Sequence, residues 1–221
     1  MIYAENILIC IAVPLIITTL FTNGNARRSI LFLVAGMGIC LVTAYMGGFI
    51  EYALSLNSEE TSIFISPVTE EIMKLLPILF YLILFEPSDN ELVHATTGIG
   101  AGFATFENCC YILTAGTQSL RHILIRGLAV GVMHVMSILA LTLALIMLRR
   151  RDAFTVPVLL GGLGISVSLH SLYNLLVSVS GIPSYTGYCI PLCVALVISM
   201  FWDKIMRKSG SRGEAYEISA R

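Results

Sequence analysis

Charged residues are scarce in this sequence. Only 12% of its 221 residues are Asp, Glu, Lys or Arg, about half the share that a soluble domain carries. The formal net charge of −1 lacks the basic excess of a nucleic-acid-binding chain, so we expect no nucleic-acid partner. Hydrophobic residues make up 57% instead, in long blocks, and the mean hydropathy is +0.86. The composition therefore predicts a protein embedded in the lipid bilayer, with no sizeable soluble domain.

Seven apolar blocks approach the roughly 20 residues that a membrane-spanning helix needs. They cover residues 4–22, 29–50, 66–85, 93–114, 122–148, 154–179 and 186–202. The first block carries Glu5 where a cleaved signal peptide has basic residues, so we count it as a span. The predicted fold is all-α: a polytopic transmembrane helical bundle of about seven helices. It forms one domain, 1–203, followed by a polar cytoplasmic tail, 204–221.

Basic residues in the loops predict the orientation. They lie between spans one and two (Arg27, Arg28), between spans five and six (149–151), and after span seven (Lys204, Arg207, Lys208). The opposite loops hold a single basic residue, Arg121. Because basic loops stay in the cytoplasm, we expect a multi-pass cell-membrane protein with its N-terminus outside and its C-terminus inside.

The sequence contains neither an H-E-x-x-H zinc motif nor a serine nucleophile motif. Four successive spans nevertheless carry polar residues that a purely structural membrane helix avoids. They are Glu70, Glu71 and Lys74, then Glu107 and Asn108, then His134, then His170 and Asn174. A charged group costs roughly 2.5–3.5 kcal/mol on insertion scales. With the predicted orientation and the helical rise, the acids and histidines lie roughly 6–18 Å below the outer surface. The sequence therefore predicts one hydrated pocket open to the outside.

Local spacing adds details to the helices around this pocket. Ser66 and Pro67 suit the N-cap and the first position of a helix. Glu70 and Lys74 are four residues apart, which makes an ion pair feasible. Gly98 and Gly102 are a pair of small residues that predicts close helix packing.

Two chemistries use carboxylates and histidines in such a pocket. In hydrolysis a glutamate takes a proton from water and a His or Asn stabilises the oxyanion. In proton transport the same groups relay charge. Taken singly, each residue also has a structural explanation, such as Glu70 near a helix N-terminus or Glu107 in an interhelical hydrogen bond. The alternatives to a hydrolase are a non-proteolytic membrane scaffold and a small proton-coupled transporter.

Four motifs in order resemble those of PrsW-type intramembrane proteases. Residues 66–74, S-P-V-T-E-E-I-M-K, are similar to that family's E-E-x-x-K motif. Residues 103–108 resemble its F-x-x-x-E-N motif, His134 lies on the helix where the family has a histidine, and residues 170–174 resemble H-x-x-x-N. The resemblance covers most of residues 60–180, the expected catalytic core.

The resemblance implies a core like that of the related CAAX prenyl proteases and an intramembrane endopeptidase, either glutamic-type or metal-dependent. Its expected substrate is a membrane-anchored protein such as an anti-sigma factor, cut on the extracytoplasmic side in the first step of regulated proteolysis.

Our hypothesis assigns a role to each of the polar residues. Glu70 or Glu71 acts as the general base, the other carboxyl donates a proton, and Lys74 balances their charge. His134 and Glu107 orient the water, whereas His170 and Asn174 hold the oxyanion. Phe103 and Asn108 support the site. A divalent metal such as zinc, bound by Glu107, His134 and His170, is the open alternative.

Overall fold

Seven long helices make up the part of the chain that the structure describes. The computed structural model describes residues 4–115, 119–149 and 156–219, and these residues contain no strand. The helices are α1 (Ala4–Thr18), α2 (Gly24–Leu54), α3 (Ser66–Phe85), α4 (Asp89–Ala115), α5 (Leu120–Arg149), α6 (Val156–Ser178) and α7 (Ile182–Ser219). Each predicted span corresponds to one helix, so the predicted all-α bundle is confirmed. Arg150 and Arg151 of the predicted cytoplasmic loop lie outside the described residues.

Several helices have the length and apolar surface of membrane spans. By these criteria α2, residues Leu120–Met147 of α5, α6 and residues Ile182–Trp202 of α7 qualify. Large apolar side chains such as Phe49 and Leu196 are exposed on the bundle, as expected of a surface that faces lipid. Helix α3 is apolar apart from Glu70, Glu71 and Lys74, and these three charged residues keep it outside the criteria. The chain is thus a membrane protein, and its crossing the bilayer seven times remains a prediction.

The helical backbone begins well before α3. Asn57 caps a short helix, Ser58–Glu60, through a capping box in which Asn57 and Glu60 bond each other's backbone N–H groups. The chain continues through a π-helical turn, Thr61–Ile65, directly into α3. The prediction that Ser66 is the N-cap is therefore wrong, because the chain is already helical there. Asn57 provides the cap nine residues earlier, and the π-helical turn is of a kind that recurs at functional sites.

Close packing of α2 against α4 sets the position of Glu107. A Cβ atom at Gly102 would overlap the carbonyl oxygen of Leu33, and one at Gly36 would overlap that of Ile99. A Cβ at Gly98 would lie 3.1 Å from Cβ of Phe32. The predicted close approach at Gly98 and Gly102 is therefore confirmed, and the partner helix is α2.

We expect Gly102→Ala to destabilise the bundle by about 1–3 kcal/mol, as overpacking does in well-packed cores, because backbone atoms must move apart to admit the methyl group. The thermal unfolding midpoint in detergent measures this loss. Gly38→Ala on α2 is the matched control, since a Cβ there meets no atom within 4 Å. An unchanged midpoint for Gly102→Ala would contradict the packing of α2 on α4 described above.

An apolar core closes the bundle beneath the polar residues. Ile78 lies one turn after Lys74 on α3, and Ile138 lies one turn after His134 on α5. Both are fully buried and belong to one cluster that also contains Leu145. The polar residues therefore lie on the side of this core where α3 and α5 begin and α6 ends.

Candidate active site

A cavity of about 260 Å³ lies among α3, α4, α5 and α6. Its polar wall consists of Glu70, Glu107, Arg126, His170, Tyr173 and Asn174. Ser62 lies in the π-helical turn before α3, Ser66 at the start of α3 and Ser178 at the end of α6, so the cavity belongs to this end of the bundle. Most of the predicted site residues therefore line one cavity or contact a residue that does.

Glu71 lies behind the cavity wall, where four neighbouring groups bind its carboxylate. Oε1 accepts hydrogen bonds from Lys74 Nζ at 2.7 Å and from Ser137 Oγ at 3.1 Å, and it lies 2.8 Å from Nδ1 of His170. Oε2 accepts one from Ser166 Oγ at 2.7 Å. A buried carboxylate is tolerated only when its oxygens are paired in this way. Glu71 is therefore an anchor that holds three helices, α3, α5 and α6, together.

Lys74 is as completely buried as Glu71, with no exposed side-chain surface. Its ammonium group donates to Glu71, lies 2.8 Å from Nδ1 of His134, and sits 4.2 Å from the centre of the Phe103 ring. The ion pair suggested between Lys74 and Glu70 is replaced by one with Glu71. The reason is rotational: consecutive helix residues point about 100° apart, and Glu70 is the one directed into the cavity.

His170 contacts Glu71 on one side and lines the cavity on the other. Its Nδ1 faces a carboxylate oxygen of Glu71, which can only accept, so Nδ1 carries a proton, and in the neutral imidazole Nε2 presents its lone pair. Nε2 lies 3.8 Å from Oε2 of Glu70. That Glu70 oxygen is buried and has no hydrogen-bond partner among the described residues.

His134 lies beside His170, and Phe103 packs against its ring. The two histidine rings meet edge to face with their centres 4.9 Å apart, and the Phe103 ring centre is 4.8 Å from that of His134. Because the Lys74 ammonium only donates, His134 accepts at Nδ1 and carries its proton at Nε2, which lies 2.5 Å from Oε2 of Glu107. Glu107 in turn accepts from Arg126 at 3.2 Å.

The two predicted asparagines, Asn108 and Asn174, line different cavities. Asn108 lines a separate cavity of about 390 Å³, where its neighbours include Thr105, Gly127 and Gly131. It follows Glu107 directly, so it points about 100° away from it. Asn174 does line the polar cavity, and its amide donates to the Ser62 carbonyl of the π-helical turn at 2.9 Å.

Sequence analysis did not identify Ser137, Ser166 and Tyr173 as part of the site. Each is uncharged and therefore inconspicuous in an apolar helix. The available signal is spacing: Ser137 is three residues after His134, and His170 has Ser166 four residues before it and Tyr173 three residues after it. Residues at these intervals share a helix face.

The donor set fits a divalent metal. One ligand atom each from Glu70, His134 and His170 lies within 4.8 Å of the others, and two imidazoles with one carboxylate form a common set for catalytic zinc. The Glu71 carboxylate behind His170 is the kind of partner that orients metal-binding histidines. The carboxylate in this group is Glu70, whereas the sequence prediction named Glu107, which instead contacts His134.

The sequence model of a protein family described as PrsW family intramembrane metalloprotease matches residues 26–202. This range runs from the first turn of α2 into α7 and includes every residue of the polar cavity. No curated protein and no solved structure matches the chain.

Proposed function

Because the chain belongs to the PrsW family and is therefore an intramembrane peptidase, we propose that it cleaves membrane-anchored proteins in the cavity among α3, α4, α5 and α6. The observation that carries this assignment is the buried, unpartnered Oε2 of Glu70 facing Nε2 of His170. A carboxylate held this way suits the activation of water, because no neighbouring donor occupies its basic oxygen.

Glu70 is the general base in this proposal, and Glu71 is a positioning residue. The oxygens of Glu71 already face four donors, so they are poorly placed to take a further proton. Glu70 Oε2 instead takes a proton from water as the water oxygen bonds to the scissile carbonyl carbon. The same proton then passes to the leaving nitrogen as the C–N bond breaks, which returns Glu70 to its ionised form.

The surrounding residues hold this geometry. Glu71 orients His170 through Nδ1, while Lys74 and Glu107 orient His134 from its two nitrogens. The contacts cross four helices, so a substrate meets side chains whose rotamers are already set. Such preorganisation lowers the barrier because little rearrangement accompanies the reaction.

The same cavity would hold a divalent metal such as zinc through Glu70, His134 and His170, in which case one carboxylate oxygen of Glu70 would bind the metal and the other would take the proton of water. A bound metal makes its water ligand more acidic and polarises the scissile carbonyl. The chain prepares one of these ligands, because Glu71 keeps the proton of His170 on Nδ1 and leaves Nε2 free. His134 would have to give up its contact with Lys74 at Nδ1 or with Glu107 at Nε2 to bind the metal.

We further propose that the substrate is cut on the extracytoplasmic side and is of the anti-sigma-factor type. The cavity lies where α3 and α5 begin and α6 ends. The basic residues Arg28 and Arg149 lie at the opposite ends of the adjoining helices. Because basic residues favour the cytoplasm, the cavity is expected to open outside the cell membrane.

The function is tested by cleavage in proteoliposomes that contain a single-span protein with a reporter on each side of the bilayer. We expect cleavage near the membrane surface on the side opposite Arg28. We also expect 1,10-phenanthroline to abolish it and added Zn²⁺ to restore it, with its non-chelating 1,7 isomer as control. Full activity in excess chelator would remove the metal from the proposal, and absence of cleavage of any anchored substrate would contradict the function.

A further inference from the structure

Tyr173 lines the candidate active-site cavity, and it also lines an apolar cavity among α5, α6 and α7. It lies on α6, three residues after His170 and one residue before Asn174. All three residues line the candidate active-site cavity. Only 4% of the surface of Tyr173 is exposed. Its hydroxyl oxygen is buried and has no hydrogen-bond partner among the described residues. A buried hydroxyl without a partner is costly, so it calls for a functional explanation.

Unpartnered buried atoms are concentrated at this cavity. The described residues contain four such side-chain atoms, and three of them belong to residues that line it: Glu70 Oε2, Arg126 Nε and the Tyr173 hydroxyl. The first is an acceptor and the other two are donors. A water molecule attacking a carbonyl needs this combination, an acceptor for the water proton and a donor for the carbonyl oxygen.

The nitrogen donors of the cavity wall are more heavily engaged than Tyr173. Asn174 donates to the Ser62 carbonyl, and His170 uses Nδ1 toward Glu71. Arg126 bonds Glu107, and its guanidinium carbon lies 3.6 Å from the centre of the Tyr111 ring. Tyr173 lines the same cavity as Arg126 and Glu107.

We propose that the Tyr173 hydroxyl is a catalytic oxyanion donor, a role that rests on the proposed function. As the water oxygen bonds to the carbonyl carbon, the C=O electron pair moves onto the carbonyl oxygen. Tyr173 donates a hydrogen bond to that oxygen and keeps its proton throughout. When the C–N bond breaks, the pair returns and the hydrogen bond weakens.

The test is Tyr173→Phe, which deletes only the hydroxyl. Removal of one oxyanion donor lowers kcat on the order of 10²–10³-fold, and we expect that loss with little change in KM, because the bond strengthens only in the transition state. A phosphinic peptide that mimics the tetrahedral intermediate should lose affinity by a similar factor. Tyr188→Phe is the control, since Tyr188 packs against the cluster containing Tyr173 but does not line the cavity.

A kcat for Tyr173→Phe within twofold of wild type would overturn the proposal, as would equal losses for Tyr188→Phe. If Tyr173→Phe reduces the yield of folded protein, 3-fluorotyrosine at position 173 keeps the ring and makes the hydroxyl a stronger donor. Its kcat should then equal or exceed that of wild type, and a fall would count against the role.

Glu70→Gln in the same assay separates this inference from the proposed function. An inactive Glu70→Gln beside a fully active Tyr173→Phe removes only the role of Tyr173. A fully active Glu70→Gln removes the proposed catalytic site and the role of Tyr173 with it.

Discussion

Replacement of Glu70 by glutamine is expected to abolish cleavage of an anchored substrate, with kcat reduced roughly 10²–10⁴-fold, the range for loss of a general base. Glutamine has nearly the shape of glutamate but cannot accept the proton of water. Since Oε2 has no hydrogen-bond partner among the described residues, the exchange removes little that holds the fold together. The unfolding midpoint should therefore stay close to that of wild type while turnover disappears.

Glu59→Gln is the matched control for this experiment. Glu59 is exposed in the short helix that precedes α3, so the same chemical change should leave kcat and stability unaltered. Initial cleavage rates in proteoliposomes, at equal amounts of folded protein, measure the comparison. If Glu70→Gln retained wild-type turnover, another group would have to activate the water.

Replacement of Glu71 by leucine is expected to have the largest effect on stability, a loss of about 3–5 kcal/mol. The change leaves the buried Lys74 ammonium without its carboxylate, and it removes the acceptor shared by Ser137, Ser166 and His170. The thermal midpoint of the purified protein in detergent measures the loss. The exposed Glu59→Gln change should stay within about 0.5 kcal/mol of wild type.

The double variant Glu71→Leu/Lys74→Met separates the ion pair from the other contacts. Because an apolar pair often replaces a buried salt bridge at little cost, we expect the double variant to be more stable than Glu71→Leu alone. It should nevertheless remain inactive, since His170 no longer has the partner that orients it. A double variant less stable than either single variant would contradict the pairing of Glu71 with Lys74.

Helix number and order were predictable because a bilayer leaves the backbone few choices. A chain in lipid must satisfy its own N–H and C=O groups, so each apolar block predicts a helix. The ends were less predictable: α2 begins at Gly24 and α4 at Asp89, several residues before their apolar blocks. Hydropathy marks the part of a helix that suits lipid, whereas capping and loop contacts determine where the helix itself begins.

The meeting of the polar side chains in one site was predictable in part: their depth could be predicted, but the direction in which each points could not. Depth along each helix follows from residue count, so Glu70, Glu107, His134 and His170 could be assigned to one level. Rotation about each helix axis does not follow from residue count. Glu70 and Glu71, or Glu107 and Asn108, are adjacent in sequence and point about 100° apart. Packing against neighbouring helices decides which of each pair enters the cavity.

The sequence by itself determined the class of protein, the order of the helices and the polar residues that meet at one depth, because hydropathy and residue count are properties of the chain. Only the tertiary structure decided that Glu71 and Lys74 pair behind the wall, that Glu70 faces His170, and that Tyr173 joins them. Those outcomes depend on which faces of α3, α5 and α6 touch, and helix rotation is set by packing between helices.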